Sequence, residues 1–522
     1  MSKIVCFLVW VSVLSVSCSS HSGAQNDQGD KARGIHVDGL PDFSYAGYDF
    51  GQGELPEGNG LQVFRVEDFG AIANDANSDF KAIQSAIDAA EANGGIVLFG
   101  PGRYLLNEQK GNQQGLIIEA DNVILRGAGD GPEGTELFMS WQLEPADPSK
   151  MYSTPAMIQF RASSKKQDAG SLAKDVARGQ DHLEFVGEPK VKAGDFITIS
   201  AVGTFLNEQL LEGKKTRPIW SRINERGAAV DEIHQVKAVD GNRVVLHAPV
   251  TLAISASDPW EIKKIQLLQK CGVEQLHFIG NFHEGFEHHK NALHDSGFTG
   301  IAMVRTFNSW IRHVSFSDVS AAASFSSSLC GTFLHCKVKG NGGHSSFGFH
   351  ASTRSLMAYC EDQANAWHGP NASHRSVGSV IYKFEGINRG IDLHGDFPRN
   401  TLFDQCVMAG FDGDSVGRAS HGASFRNLPN HMGGLVLWNF EQTARPRPGF
   451  DFWDLYEDKP DELYGPLTAV NPVIVGYKGE GTSFVKESVG KVESWGKHVA
   501  PASLFLYQKQ QNGMKIPTYL KN

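Results

Sequence analysis

The sequence of 522 residues predicts an all-β protein, a right-handed parallel β-helix, on three observations. One short pattern recurs between Phe307 and Phe440, reading HVSFSDV, LHCKVKG, AYCEDQA, YKFEGIN, DQCVMAG and LWNFEQT and registering on Phe316, Cys336, Cys360, Phe384, Cys406 and Phe440. Subtraction gives steps of 20, 24, 24 and 22 residues, then one of 34 that leaves room for an inserted loop. Self-similarity at such a period marks stacked repeats. Each unit is a short β-branched or aromatic run closed by Gly, Asn, Asp or Pro, the pattern of strand and turn. No unit carries an amphipathic helix. Each coil is therefore expected to lay its strands beside those of the next, roughly 4.8 Å away, with the register residues pointing inward.

Composition agrees with one large domain. A hydrophobic fraction of 41% and 57 glycines suit an elongated globular chain with insertions and exclude disorder. The net charge of −10 argues against nucleic acid as a partner, because a basic face would show in the total.

In chain order, Met1 to Ser20 reads as an export signal: Lys3, the apolar run Ile4 to Val16, then Ser17, Cys18 and Ser19. The run is too short to span a membrane. LSVSC resembles a bacterial lipobox with Cys18 as the lipidated residue, although Ser15 stands where Leu is commoner; cleavage to a soluble product is the alternative. The expected layout is a signal peptide over 1–18, a tether and N-terminal extension over 19–60, and the β-helix domain over 61–522. The protein is then exported, outer-membrane or periplasmic, a monomer that meets the membrane through its lipid alone.

From Leu61 the chain runs QVFRVEDFGAIANDANSDFKAIQSAIDAAEANGGIVLFGPGRYLL. Ser78 to Ala92 sets Phe80, Ile83, Ile87 and Ala90 on one helical face, with Ser78 or Asp79 able to cap its start. Gly94-Gly95 ends the helix, and Ile96 to Phe99 is a buried strand. This segment resembles the N-terminal cap of pectate-lyase-like β-helix proteins, in which such a helix covers the open end of the core. Asp121 to Gly127, DNVILRG, reads as the first regular coil. Val176 to Val250 departs from the coil pattern and reads as a small antiparallel insertion with a turn at Asp240-Gly241. Within it, Leu206 to Gly227 carries Lys214, Lys215, Arg217, Arg222 and Arg226 against Glu208, Glu212 and Glu225, either a solvated loop or an arm touching an anionic chain. The coils resume at CGVEQLHFIGN. Beyond Glu441, VNPVIVGY is a further strand, and VAPASLFLYQKQ resembles the closing segment of some bacterial β-helix polysaccharide lyases. Cys271, Cys330, Cys336, Cys360 and Cys406 read as free core thiols, since their count is odd and three occupy equivalent inward positions.

Chemistry is expected where histidines gather, and seven of the 20 fall between His344 and His431. His344 and His368 each lie eight residues beyond a register cysteine, and His394 lies ten beyond Phe384; His350 and His374 each precede the next register residue by ten. In GHSSFGFH, inward Phe347 and Phe349 turn His344, Ser346 and His350 outward. In DLHGDF the same parity sets Leu393 and Phe397 inward and Asp392, His394 and Asp396 outward. Three coils would then present a histidine ladder flanked by His350 and His374, with Arg354 and Arg375 nearby in sequence. A purely structural ladder is the competing reading. The ladder spacing is wider than one ion's ligand sphere unless the rings converge, so no cofactor is expected; a divalent cation such as calcium is the alternative, but no Asp-rich calcium spacing is evident. A second outward row, His335, Tyr359, Lys383 and Gln405, places Tyr359 beside Lys383, a pair suited to proton transfer or an ordinary polar sheet face.

β-Elimination in a uronate polymer requires neutralising the C6 carboxylate, removing the C5 proton and protonating the departing oxygen, work for a cation and for His, Lys or Tyr. The resemblance, which covers most of Leu61 to Gln510 by pattern, implies an anionic polysaccharide of the alginate, glycosaminoglycan, ulvan or pectin class as substrate. The expected function is a polysaccharide lyase with His368 as base, His344 or His394 as acid, and Arg354, Arg375, His350 and His374 on the substrate carboxylates; Tyr359 and Lys383 are the fallback pair. Two alternatives stand beside it. Asp412, Asp414 and His421 in GFDGDSVGRASHG weakly resemble a polygalacturonase site and allow a β-helix glycoside hydrolase, and a non-catalytic surface binder would keep the solenoid alone.

Overall fold

The computed structural model describes residues 39–109, 114–218, 220–386, 391–408, 428–443, 469–481 and 489–521. Cys18 with its leader, the tether up to residue 38, and Asp412, Asp414 and His421 lie outside the described residues.

The protein is a parallel β-helix. Successive coils pair in parallel register, Lys337 with Glu361, Glu361 with Glu385, Glu385 with Val407 and Val407 with Glu441, so Cys336, Cys360, Phe384, Cys406 and Phe440 form one column as expected. All five are fully buried. The first step of the expected register is off by two: Phe316 pairs with Val338, which brings Val314 beside Cys336. Phe316 is still buried, because a shift of two residues preserves the side of the strand that faces inward.

Each coil turns from its first face to its second at a single residue. Gln275, His313, His335, Tyr359, Lys383, Gln405 and Asn439 occupy this corner, all with φ between 49° and 56°. Left-handed backbone is uncommon for residues other than glycine, and here it is held by bonds to the next coil, such as Tyr359 N to Tyr382 O at 3.0 Å and Lys383 N to Asp404 O at 2.9 Å. A third face is built from Thr299–Val304, Ala321–Ser326, Ser345–His350 and Asn371–Ser373. Phe325, Phe333, Phe347 and Phe349 pack edge-on or tilted between the faces, so the stack is filled with aromatic area.

The cap helix spans Phe80–Glu91 and buries Phe80, Ile83, Ala86, Ile87 and Ala90 on the core. Asp79 does not cap it. Its carboxylate accepts from the Ile72 and Leu105 amides at 2.8 and 2.9 Å, tying the flanking loop to a strand instead. The antiparallel insertion is wider than 176–250, since Gln167–Asp168 and Glu261–Ile265 close its six-stranded sheet at one edge. Those edge strands are short and carry no alternating pattern. The segment from Leu206 to Gly227 is anchored on its apolar side, where Leu206, Leu210, Leu211, Trp220 and Ile223 pack in one cluster with Phe397, Leu428, Met432 and Val470, while Lys215, Glu225 and Arg226 stay exposed. Phe397 is thus buried under the insertion rather than in the coil core.

The two ends of the described chain meet on the first face. Lys509, in the helix Leu504–Gln511, donates to Ser44 O and Gly51 O at 2.6 and 2.5 Å, and Gln508 bonds Phe43 N and Pro41 O at 2.9 and 2.8 Å. The five cysteines of the described chain are buried and free.

Candidate active site

The histidine ladder forms. Ring centroids of His344 and His368 stand 4.8 Å apart and those of His368 and His394 4.6 Å, at near-perpendicular angles of 73° and 85°. Asp392 lies between the last two, its Oδ2 3.4 Å from His368 Nδ1 and its Oδ1 3.3 Å from His394 Nδ1. His368 is 4% exposed and Asp392 2%, whereas the His394 side chain is 32% exposed. Burial pushes the His368 pKa down, with Asp392 opposing it. Burial alone would raise Asp392, but the His368 and His394 imidazoles outweigh it and hold the carboxyl below the usual range. The result is a neutral imidazole backed by an ionised carboxylate. Nδ1 faces Asp392 Oδ2 across the 3.4 Å ion-pair distance, which leaves Nε2 as acceptor, and both ring nitrogens are buried without a hydrogen bond among the described residues. That is the condition of a general base.

A loop the periodicity did not reveal covers this ladder. Between Phe282 and Gly297 the chain brings His288, His289 and Asp295 over His344, Asp295 being held in the π turn Leu293–Gly297. Nδ1–H of His289 donates to Asp295 Oδ2 at 2.5 Å, and Nδ1–H of His344 donates to the Asp295 carbonyl at 3.0 Å. His288 stacks on Trp367 at 5.1 Å and lies 5.6 Å from His368. Burial also drives the His344 pKa well down. Two groups have geometry that a metal ion would accept, each with ligand atoms within 4.8 Å of one another: His288, His289 and His344, and His368, Asp392 and His394. The exception to the spacing argument is therefore the case realised: the rings converge, and a loop adds two more histidines. The only sign of this in the sequence was the run HEGFEHHK, which belongs to no coil.

Of the expected substrate-binding residues, His350 and His374 flank the ladder. Both stand close to the Ser373 hydroxyl, at 2.7 and 2.8 Å, and their rings are 5.6 Å apart. Burial lowers both, His350 to about 3. Arg375 adds its charge to His374 and Asp231. Arg354 is placed elsewhere. It is 4% exposed, donates to the Pro249 carbonyl and pairs with Glu232 at 3.5 Å, alongside Arg399 at 3.0 Å and His234 at 3.0 Å. It joins the insertion to the coils and does not face the ladder. Tyr359 and Lys383 lie on the corner row, where His313, His335 and Tyr359 stack at 5.0 and 5.1 Å and Lys383 Nζ sits 5.3 Å from the Tyr359 ring. His335, Tyr359, Lys383 and Gln405 of this row, with Glu361, Glu385 and Val407, line an open groove of about 440 Å³. Asp396, expected outward, pairs with Arg222 of the insertion at 2.8 Å.

Comparison with known proteins follows the same division. The family described as rhamnogalacturonase A/epimerase, pectate lyase-like, matches residues 63–141, and a domain family of unknown function, DUF4955, matches residues 365–522. Over 69 residues the chain is 44% identical to the mannuronan C5-epimerase AlgE6 of Azotobacter vinelandii, covering 13% of this chain and 8% of that one. Over 79 residues it is 38% identical to alginate lyase 7 of the same organism, covering 15% of this chain and 9% of that one. The chain thus spans less than a tenth of the length of these curated relatives. The tailspike gp61 of Pseudomonas phage phi297 superposes with a TM-score of 0.53 at 13% identity, over 83% of this chain and 73% of that one, which is a likeness of fold.

Proposed function

The chain carries the pectate-lyase-like parallel β-helix fold, and from that premise we propose that it is a polysaccharide lyase, cleaving an anionic, uronate-containing polysaccharide of the alginate, glycosaminoglycan, ulvan or pectin class by β-elimination. The observation that carries the proposal is the arrangement of His368, Asp392 and His394. His368 Nε2 removes the C5 proton, the electron pair forms the C4–C5 double bond, and the C4–O bond breaks. His394, more exposed and sharing Asp392, gives its proton to the departing oxygen. His350, His374 and Arg375 lie on the side where the substrate carboxylates are received. A histidine base needs no large upward shift to work near neutrality, and burial, which pulls His368 below its ordinary value against the opposing Asp392, favours the unprotonated form.

Relatives named for C5-epimerisation and alginate lysis support the class, because both reactions begin by removing the C5 proton beside a carboxylate. In the described cluster Asp295 and Asp392 each serve histidines, which does not favour the paired free carboxylates of hydrolysis. Incubation of the purified protein with the four substrate classes should release a conjugated, ultraviolet-absorbing uronate from one of them. His368→Asn should then lower turnover about 10²-fold or more with an unchanged circular dichroism spectrum. Saturated ends, or an uncut chain with inverted C5 centres, would refute the lyase. A fully active His368→Asn beside a dead Tyr359→Phe or Lys383→Ala would move the site to the corner row. Export with a lipid anchor on Cys18 belongs to the same proposal, and Cys18→Ser should shift the protein from the membrane to the soluble fraction.

A further inference from the structure

We propose that His288, His289 and His344 bind one divalent transition-metal ion of the zinc class, in a site that keeps a coordination position open. Their ligand atoms lie within 4.8 Å of one another. Nitrogens around a tetrahedral zinc at 2.0–2.1 Å stand about 3.4 Å apart, so small ring rotations close the set. The surroundings are those of a metal ligand shell. Asp295 takes the Nδ1 proton of His289 through its carboxylate and that of His344 through its carbonyl, which fixes both tautomers with Nε2 as the electron-pair donor. Asp295 is itself 1% exposed and held in the π turn.

The second observation is His344 Nε2. It is buried and has no hydrogen-bond partner among the described residues, an expensive state for an imidazole nitrogen unless something binds it. Phe286 stacks on this ring at 5.9 Å and Trp367 on His288 at 5.1 Å, so aromatic rings wall the group on two sides. An all-imidazole set suits zinc, cobalt or nickel and not calcium or magnesium, which take oxygen ligands. Three protein ligands leave the fourth position to water or substrate.

The role of the ion, though not its binding, rests on the elimination reading. Arg354 is engaged by Glu232, which leaves Arg375 as the arginine on the substrate side, and the ion would add a positive charge directly beside His368, whose ring is 4.8 Å from that of His344.

The test is metal content, read without substrate. Untagged full-length protein, dialysed against zinc and then against ion-free buffer, should retain about one equivalent, and cobalt in its place should give the visible absorption of a tetrahedral site. His289→Ala removes a ring that is 48% exposed and leaves the core intact; it should lose the ion, as should His344→Ala, while His350→Ala keeps it. Wild type without a bound equivalent, or His289→Ala with a full one, overturns the proposal. So does loss of the ion in His394→Ala with retention in His289→Ala, which would put it on the neighbouring triad. An ion-free wild type that still yields unsaturated uronate sinks the metal site alone. A zinc-loaded protein inert on every uronan sinks the lyase alone.

Discussion

Replacing Glu232 by leucine measures how far the insertion is welded to the coils. Glu232 is 4% exposed and receives Arg399 at 3.0 Å, Arg354 at 3.5 Å, His234 at 3.0 Å and the Thr251 hydroxyl at 2.6 Å. The leucine leaves two guanidinium groups buried without their carboxylate, a kind of change that costs about 3–5 kcal/mol. Asp231 also acts on Arg399, which favours the lower end, about 3 kcal/mol. With a urea slope of about 3 kcal/mol/M, the unfolding midpoint should fall by about 1 M. Burial would raise the Glu232 pKa, but His234 and the two arginines outweigh it and hold the carboxyl well below its ordinary 4.5. A depressed carboxyl contributes stability that is full above the unfolded value and is lost as pH falls toward the folded one. The wild-type and variant midpoints should therefore converge as pH drops below about 4.5. An unchanged midpoint at neutral pH, or a gap that persists in acid, would refute the reasoning, and adding Arg354→Met to the variant should recover part of the loss.

Three further outcomes follow from buried groups and from the corner row. Burial pulls Lys509 down to about 7 from 10.5, so the penalty on the fold grows as pH falls from 10.5 and is complete near 7, and stability should rise from pH 7 to 9; Lys509→Met should flatten this rise in a thermal melt. Burial pushes the thiols of Cys271 and Cys330 up to about 12, and a disulfide reagent should titrate none of the five body cysteines in the native protein and all of them in denaturant; fast native reaction would contradict the buried assignment. Tyr359→Ala should raise KM by about 2- to 10-fold, the worth of a ring contact of about 0.5–1.5 kcal/mol, with turnover kept, and a collapse in turnover would instead make the row catalytic.

The coil column was legible because a two-residue parity and a 24-residue step leave little freedom: Cys336, Cys360, Phe384 and Cys406 could point only one way. Phe316 escaped by two residues because parity alone does not fix where a strand begins. Asp392 was rightly set off the core, yet its burial was hidden, since the layer above it comes from elsewhere in the chain. His288, His289 and Asp295 belong to a loop with no period, so nothing aligned them with His344. Arg354 misled through closeness in sequence. Left-handed residues at Ala351 and at Arg354 itself, with φ of 48° and 53°, turn the chain onto another face and carry the side chain from the histidines to Glu232. Sequence distance does not survive a β-helix corner.

The joined ends alter how such a stack comes apart. A solenoid held only by nearest neighbours frays from its termini, one coil at a time. Here the segment from Gly47 to Asp49 bonds Arg354 O, Thr332 Oγ1 and Asn308 Oδ1 at 2.9, 3.0 and 2.8 Å, riveting three coils before its neighbours grip the C-terminal helix. That helix is seated on Asp404 through Ser503 and the Phe505 amide at 2.6 and 2.9 Å. A line of contacts has become a circuit. Peeling any terminal coil must first open bonds between residues more than 450 positions apart, such as Ser44 with Lys509, which raises the barrier to unfolding and delays the last step of folding until the whole stack exists. The same closure makes the order of the coils along the chain dispensable: a short linker across the clasp, with new ends cut at an exposed turn, leaves every one of these contacts in place.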